Sequence, residues 1–398
     1  MSGILVALGL VVWSFVLGAI LTRAARSIAP RFGLVDKPGG RKAHRAPTPM
    51  GGGVAIWLTT VITLGLGSLA FALFRTTLPP DLAVHAGGLW SRGPELLLIL
   101  GLGTIIMVMG LIDDRVGLGW KSRLFVQVGL ATLLVSSGVR ITLFWPIHHP
   151  ILTGALSVFW IVGLTNSFNF LDNMDGLAAG VGLIAALLFA TAQVMVESLF
   201  VPAVMLVMVG SLAGFLLYNR YPASIFMGDA GSNFLGFMLG SLTIAGTFTR
   251  PEKGFSPYSV LAPLLVMAVP LYDTISVVMI RIREGRSPFQ ADRRHFSHRL
   301  VDRGLTPASA VRTIHLVTLA GGSGALLLPH LGPAGAAVVF AQTACLLGIV
   351  AILEAATPSK KRPETNPSAS EHLDGQATPE SSDVPVSPST VGSSVGGV

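Results

Sequence analysis

The chain has 398 residues, of which 51% are apolar and only 12% charged, and a formal net charge of +7. Charged residues are about half as frequent as the roughly 25% usual in soluble domains, and the mean hydropathy is +0.69. Such a composition excludes a soluble enzyme, a disordered chain and a disulfide scaffold; the single cysteine, Cys345, lies in an apolar run and leaves no intrachain disulfide or cysteine-based zinc site.

Runs free of Asp, Glu, Lys and Arg fall at 4–22, 50–74, 96–112, 124–139, 151–168, 176–196, 198–218, 230–249, 254–272, 313–329 and 331–353. Most approach the roughly 20 residues that a bilayer-spanning helix needs. They predict an all-α polytopic membrane protein of eleven spans, in one domain over 1–356. The first run is followed, not preceded, by basic residues and shows no small-residue cleavage site, so it reads as a span and not a signal peptide. From 357 to 398 the chain is rich in Ser, Pro, Thr, Gly and Glu, which predicts a disordered tail. An odd number of spans puts the termini on opposite sides. With the connections after odd-numbered spans inside, 22 of the 27 lysines and arginines share that side. The positive-inside rule then places the N-terminus out and the C-terminus in. The net charge is therefore a topology signal, not a nucleic-acid footprint, and the inner loops could attract anionic substrates and lipid headgroups.

The first inner loop, 36–53, is basic and rich in Gly and Pro; Lys42 and His44 are its candidate substrate contacts. Gly51, Gly52 and Gly53 give a weak phosphate-loop signal, without the Gly-Lys-Ser/Thr of a Walker loop. Span 3 closes on Asp113-Asp114. Two carboxylates at a helix C-terminus oppose the helix dipole, which suggests a metal or general-base pair. Lys121 and Arg123 follow, either to bind phosphate or to anchor the helix at the interface. Between spans 5 and 6, Asn169, Asp172 and Asp175 recur every third residue, which on a helix gives one polar face. Asp175 could equally cap span 6.

Between spans 7 and 8, Pro222 breaks the helix, Gly228 and Gly231 let backbone approach a ligand, and Asp229 sits at the positive end of a helix dipole. Asn219 and Phe226 lie beside them, Phe226 placed to stack on a base or to fill the core. Span 9 holds Asp273, expected to be the buried partner of a nearby arginine. The basic loop after it carries Asp292, Arg293, Arg294, His295, Ser297, His298 and Arg299. Arginines with histidines suit a pyrophosphate clamp, and two histidines without a third ligand at suitable spacing argue against zinc. Nine of the twelve aspartates fall at the inner face or in spans near it. Hard oxygen ligands gathered from separate loops suit Mg²⁺ shared with phosphate oxygens and water.

The five loops, in this order and spacing, resemble the polyprenyl-phosphate N-acetylhexosamine-1-phosphate transferase superfamily over essentially 1–355. Ser287-Pro288-Phe289 before Asp292 resembles the GlcNAc-1-phosphate branch. That branch usually reads His-x-His-His where this chain has Ser297 in the middle-histidine position. The resemblance implies transfer of an N-acetylhexosamine-1-phosphate, GlcNAc first, from its UDP derivative to a polyprenyl (undecaprenyl-type) phosphate. UMP is released and a cell-envelope glycan is begun. It implies Mg²⁺, with Mn²⁺ as the alternative, and an active site on the cytoplasmic face of the cell membrane. By position Asp229 and Asp114 resemble metal ligands, and Asp113, Asp114, Asp172, Asp175 and His295 catalytic residues. Lys42, His44, Lys121, Asn169, Asn219, Phe226, Arg294 and His298 resemble substrate contacts, with Phe226 on uracil. The partners implied are the nucleotide sugar, the lipid phosphate and the membrane; a homodimer stays open and nucleic acid is not expected. The same chemistry on GalNAc, a 6-deoxy-HexNAc or MurNAc-pentapeptide is the nearest rival. A transporter is the rival of another class, although such proteins place charges nearer the midplane and often show inverted repeats.

Overall fold

The computed structural model describes residues 2–37, 46–74, 77, 86–141, 149–288 and 294–356. Lys42, His44, Asp292, Arg293 and the tail from 357 lie outside the described residues.

Thirteen α-helices carry the described chain. In order they are α1 (Ser2–Ile28), α2 (Gly52–Phe74), α3 (Ala86–Val116), α4 (Trp120–Ser136), α5 (Pro150–Leu171), α6 (Leu177–Met195), α7 (Phe200–Asn219), α8 (Gly228–Ala245), α9 (Ala262–Val266), α10 (Ala268–Arg283), α11 (Phe296–Asp302), α12 (Pro307–Ser323) and α13 (Pro333–Ala356). A short antiparallel pair, β1 (Val35–Asp36) and β2 (Thr48–Pro49), lies between α1 and α2 in the chain, with Val35 opposite Pro49. Each of the eleven apolar runs falls on helix. Among the described residues eight helices are long and apolar enough to cross a membrane. They become nine when the pair on either side of Met267, bent by 58°, is counted as one. The protein is thus an all-α polytopic membrane protein.

Local chemistry sets the helix starts. Pro150 and Pro307 occupy first-turn positions, where a missing N–H costs nothing. Thr306 accepts the Ser309 N–H in its side chain at the start of α12.

The bundle is organised around α8, whose residues from Ala230 to Thr243 are all buried. Helices α3 and α5 flank it, and α2 crosses its N-terminal end. Glycines make these approaches possible: a Cβ on Gly53 would overlap the Gly231 backbone, one on Gly110 the Asp229 carbonyl, and one on Gly236 the Leu164 carbonyl. Small residues at helix crossings are how membrane bundles gain close packing without a hydrophobic drive between helices. Helix α1 packs on α7 in the same way, through Gly210 and Gly214.

Candidate active site

The N-terminus of α8 is where the acidic residues converge. Helix α3 ends against it, and the Asp114 carboxylate accepts the N–H groups of Asp229 (2.7 Å) and Ala230 (3.1 Å). The residue before α8, Met227, supplies no side-chain cap. Asp114, more than 100 positions earlier in the chain, satisfies those orphan donors and faces the positive end of the helix dipole. Asp229 stands in the first turn. Its Oδ1 accepts from Asn169 Nδ2 at 2.7 Å, and its Oδ2 lies 3.2 Å from Arg123 Nη1. The same arginine nitrogen is 2.7 Å from Asp113 Oδ2, while Asp113 Oδ1 accepts the Leu118 N–H. Among the described residues Arg123 is the cation bonded to this cluster; Lys121 is exposed and rests 5.7 Å over the Trp120 ring.

Asp172 is close enough to feel these acids. Burial is the first cause that pushes its carboxyl up to about 8, followed by the negative charge of Asp229, Asp114 and Asp175. Asp113, Asp114 and Asp229 outnumber the one guanidinium, Arg123, that bonds Asp113 and Asp229. The donors are hard oxygens, and Asp114's two oxygens each accept one N–H and keep a second lone pair. Among the described residues no three His, Cys, Asp or Glu side chains gather closely enough to enclose a metal ion.

Several expectations need correction. Asn169, Asp172 and Asp175 do not share a helical face, because α5 ends at Leu171 and Asp172 leaves helical geometry. Asp175 does not cap α6 either. The N-cap position is Gly176, at φ 74°, and Asp175 accepts the Ala223 N–H at 2.9 Å. Asn219 is buried behind the site, accepting from Gly176 N and donating to the Ile225 carbonyl. These bonds tie the loop after α5 to the loop after α7. The glycine run 51–53 is no phosphate cradle: the N–H groups of Gly52 and Gly53 donate to the carbonyls of Phe226 and Met227. Asp273 pairs with His295, not with an arginine, and its Oδ2 lies 2.9 Å from His295 Nδ1. Phe226 is half-buried beside α8, and His298 lies in the first turn of α11. Arg294 pairs with Glu284 at 2.8 Å.

The sequence reading missed the support behind these groups. Gln127 donates to Asn233 at 3.1 Å and accepts from Asn166 at 2.7 Å, and Asn233 donates to the Asp229 carbonyl. Ser232 accepts from Asn169. The signal for Gln127, Asn166 and Asn233 in the sequence is an uncharged amide inside an apolar run. Ser297, in the departing position of the histidine motif, donates to Asn173 and so joins α11 to the loop that carries Asp172.

Comparison with known proteins adds an independent finding. Residues 96–247 match the glycosyl transferase family 4 profile. The chain is 33% identical over 307 residues to a probable undecaprenyl-phosphate N-acetylglucosaminyl 1-phosphate transferase of Bacillus subtilis, covering 75% of this chain and 78% of that protein. It is 36% identical over 314 residues to a decaprenyl-phosphate N-acetylglucosaminephosphotransferase of Mycolicibacterium smegmatis, covering 73% and 74%. Against the undecaprenyl-phosphate alpha-N-acetylglucosaminyl 1-phosphate transferase of Yersinia pestis the identity is 28% over 347 residues, covering 83% and 84%.

Proposed function

The chain belongs to glycosyl transferase family 4, in its polyprenyl-phosphate N-acetylglucosaminyl-1-phosphate transferase branch, and from that premise we propose that it moves GlcNAc-1-phosphate from UDP-GlcNAc to a polyprenyl phosphate. An oxygen of the lipid phosphate attacks the β-phosphorus of the donor. A new P–O–P bond forms, the bond to UMP breaks, and a polyprenyl diphosphate sugar remains. The observation that carries this reading is the cluster at the head of α8, where Arg123 bonds Asp113 and Asp229, and Asp114 and Asn169 bond Asp229 in turn.

Phosphoryl transfer asks a protein for positioning and charge neutralisation more than for covalent chemistry. Two anions must approach each other, so cationic groups have to offset the repulsion. Arg123 is held between two carboxylates and can turn to a phosphate oxygen. Asp113 and Asp114 are the groups to take a proton from the lipid phosphate, and Asp172 and Asp175 shape the diphosphate pocket. Mg²⁺, for which Mn²⁺ would substitute, would be held by Asp229 with Asp114 and would neutralise the donor diphosphate. Phe226 is assigned to the uracil ring and His295, with Arg294 and His298, to the phosphates.

We further infer eleven spans with the N-terminus outside, which puts the site on the cytoplasmic face of the cell membrane, where a nucleotide sugar is supplied. The test is UMP release by the purified protein with radiolabelled UDP-GlcNAc, with and without polyprenyl phosphate and Mg²⁺. Release that needs both supports the reading. Uptake of a solute into vesicles without release of UMP would overturn it.

A further inference from the structure

Asp273 is a charge inside the apolar helix α10 and is 1% exposed. A carboxylate there is costly unless its bonds are complete. Both of its oxygens are engaged by one segment, the N-terminus of α11. Oδ2 lies 2.9 Å from His295 Nδ1, and Oδ1 accepts the Phe296 N–H at 2.6 Å. Neighbouring contacts hold the same segment. Ser276, one turn along α10, accepts from Arg299, and the Tyr272 ring meets Phe296 edge-on at 5.6 Å. On its other side the His295 ring lies 5.7 Å from Phe170 in the last turn of α5, two positions before Asp172. Arg281 also packs on Phe170, 5.4 Å from its ring.

This geometry fixes more than a position. A histidine that donates Nδ1–H to a carboxylate is held in one tautomer and one ring orientation. Only Nε2 is then left for anything else: an acceptor in the neutral ring, a donor in the cation. We propose that Asp273 is a positioning residue for the transfer reaction, acting through His295 by fixing its ring and committing Nε2 to the substrate side. The part of this that concerns activity rests on the function proposed above; the tautomer does not.

Asp273→Asn keeps the shape and an acceptor for the Phe296 N–H while removing the charge that takes the imidazole proton. In ¹⁵N-histidine-labelled protein, with the His295 signal assigned by its loss in His295→Gln, the neutral ring is expected as the Nδ1–H form. In Asp273→Asn it is expected to shift toward the Nε2–H form. Transfer is expected to fall about 10- to 100-fold, the range seen when the partner that orients a functional histidine is removed. In the double variant the loss should equal that of His295→Gln alone, since groups acting as a unit are not additive. An unchanged tautomer on Asp273→Asn, or losses that multiply in the double variant, would overturn the proposal. The tautomer is read without substrate, so failure of the proposed reaction leaves that result standing. If Asp273→Asn does not accumulate as folded protein, Asp273→Glu, which keeps the charge one methylene further out, takes its place. It should retain the Nδ1–H form with a smaller loss, and an Nε2–H ring in it would equally sink the idea.

Discussion

Asp114 caps a helix that begins 114 positions after it and at the same time stands beside the residue assigned to the cation. Structure and chemistry can be separated by comparing it with Asp229. Both Asp114→Asn and Asp229→Asn should reduce UMP release by at least about 100-fold, the scale for losing one preorganised electrostatic group. Only Asp114→Asn should also lower stability, by about 1 kcal/mol for a weakened cap. Thermal unfolding in detergent beside the transfer assay checks both, and full activity in either variant would remove its assigned role. Asp172 makes a different prediction. Its carboxyl, pushed up to about 8, holds a proton in the fold that the unfolded chain has released. That stabilisation is complete at low pH and is lost as pH rises through about 8. In EDTA and without substrate, the Tm of Asp172→Asn should therefore gain on the wild type as pH rises from about 5 to about 9, by about 2–4 °C for each kcal/mol. A constant difference would show that Asp172 is ionised throughout. The variant should still be inactive, so stability and function would part company at this residue.

At the scale of elements, the approach of α3 to α8 decides whether Asp114 can reach its donors. Gly110 stands where a Cβ would meet the Asp229 carbonyl, whereas Gly101, on the same helix, has nothing within 4 Å. Backbone cannot move aside as a flexible side chain can. Gly110→Ala should cost about 1–3 kcal/mol through overpacking and lower transfer with it. Gly101→Ala should be neutral or slightly stabilising, since alanine is the better helix former. Equal Tm values for the two variants would contradict the close crossing. The helices themselves were legible because apolar runs bounded by charges leave little choice. The acids Asp113, Asp114 and Asp229 were legible because charges at the ends of such runs are unusual. The turn after Leu171 was not: nothing in Asn169-Phe-Leu-Asp172 says the helix stops, and contacts with another loop, such as Asp175 with Ala223 N, shape it. The partner of Asp273 was equally hidden, because 22 positions and an inner loop separate it from His295. Gln127 and Asn233 carry no charge and read as ordinary interruptions until α4, α5 and α8 bring their amides together.

Across the whole molecule, length and composition pass eight described helices, or nine with the bent pair, and leave out α4 and α8. Helix α8 is buried among its neighbours, so it has no need of the hydropathy that lipid contact demands. The ends of the helices supply a second argument. Helices α3 and α5 finish at the acidic cluster, through Asp114 and Asn169, and α7 finishes behind it, where Asn219 accepts the Gly176 N–H. A chain that arrives at the same place three times must leave it in between. Helix α4 starts there with Arg123 and Gln127 and leads to Ile141, whose N–H donates to Ser157 well back along α5. Helix α8 starts there with Asp229 and reaches Thr243, which accepts from Trp160 on α5. At 1.5 Å per residue the two are about 26 and 27 Å long, close to the roughly 30 Å of a hydrocarbon core. Counting both would bring the total to the eleven proposed above, an odd number that would put the termini on opposite sides. A reporter fused before Ser2 should then read the outside and one fused after residue 356 the cytoplasm, with single cysteines placed at Lys121 and Arg220 in a Cys345→Ser background labelled only from the cytoplasm. Both termini on one side would mean an even number of crossings, and the cytoplasmic assignment of the acidic cluster would fall with it.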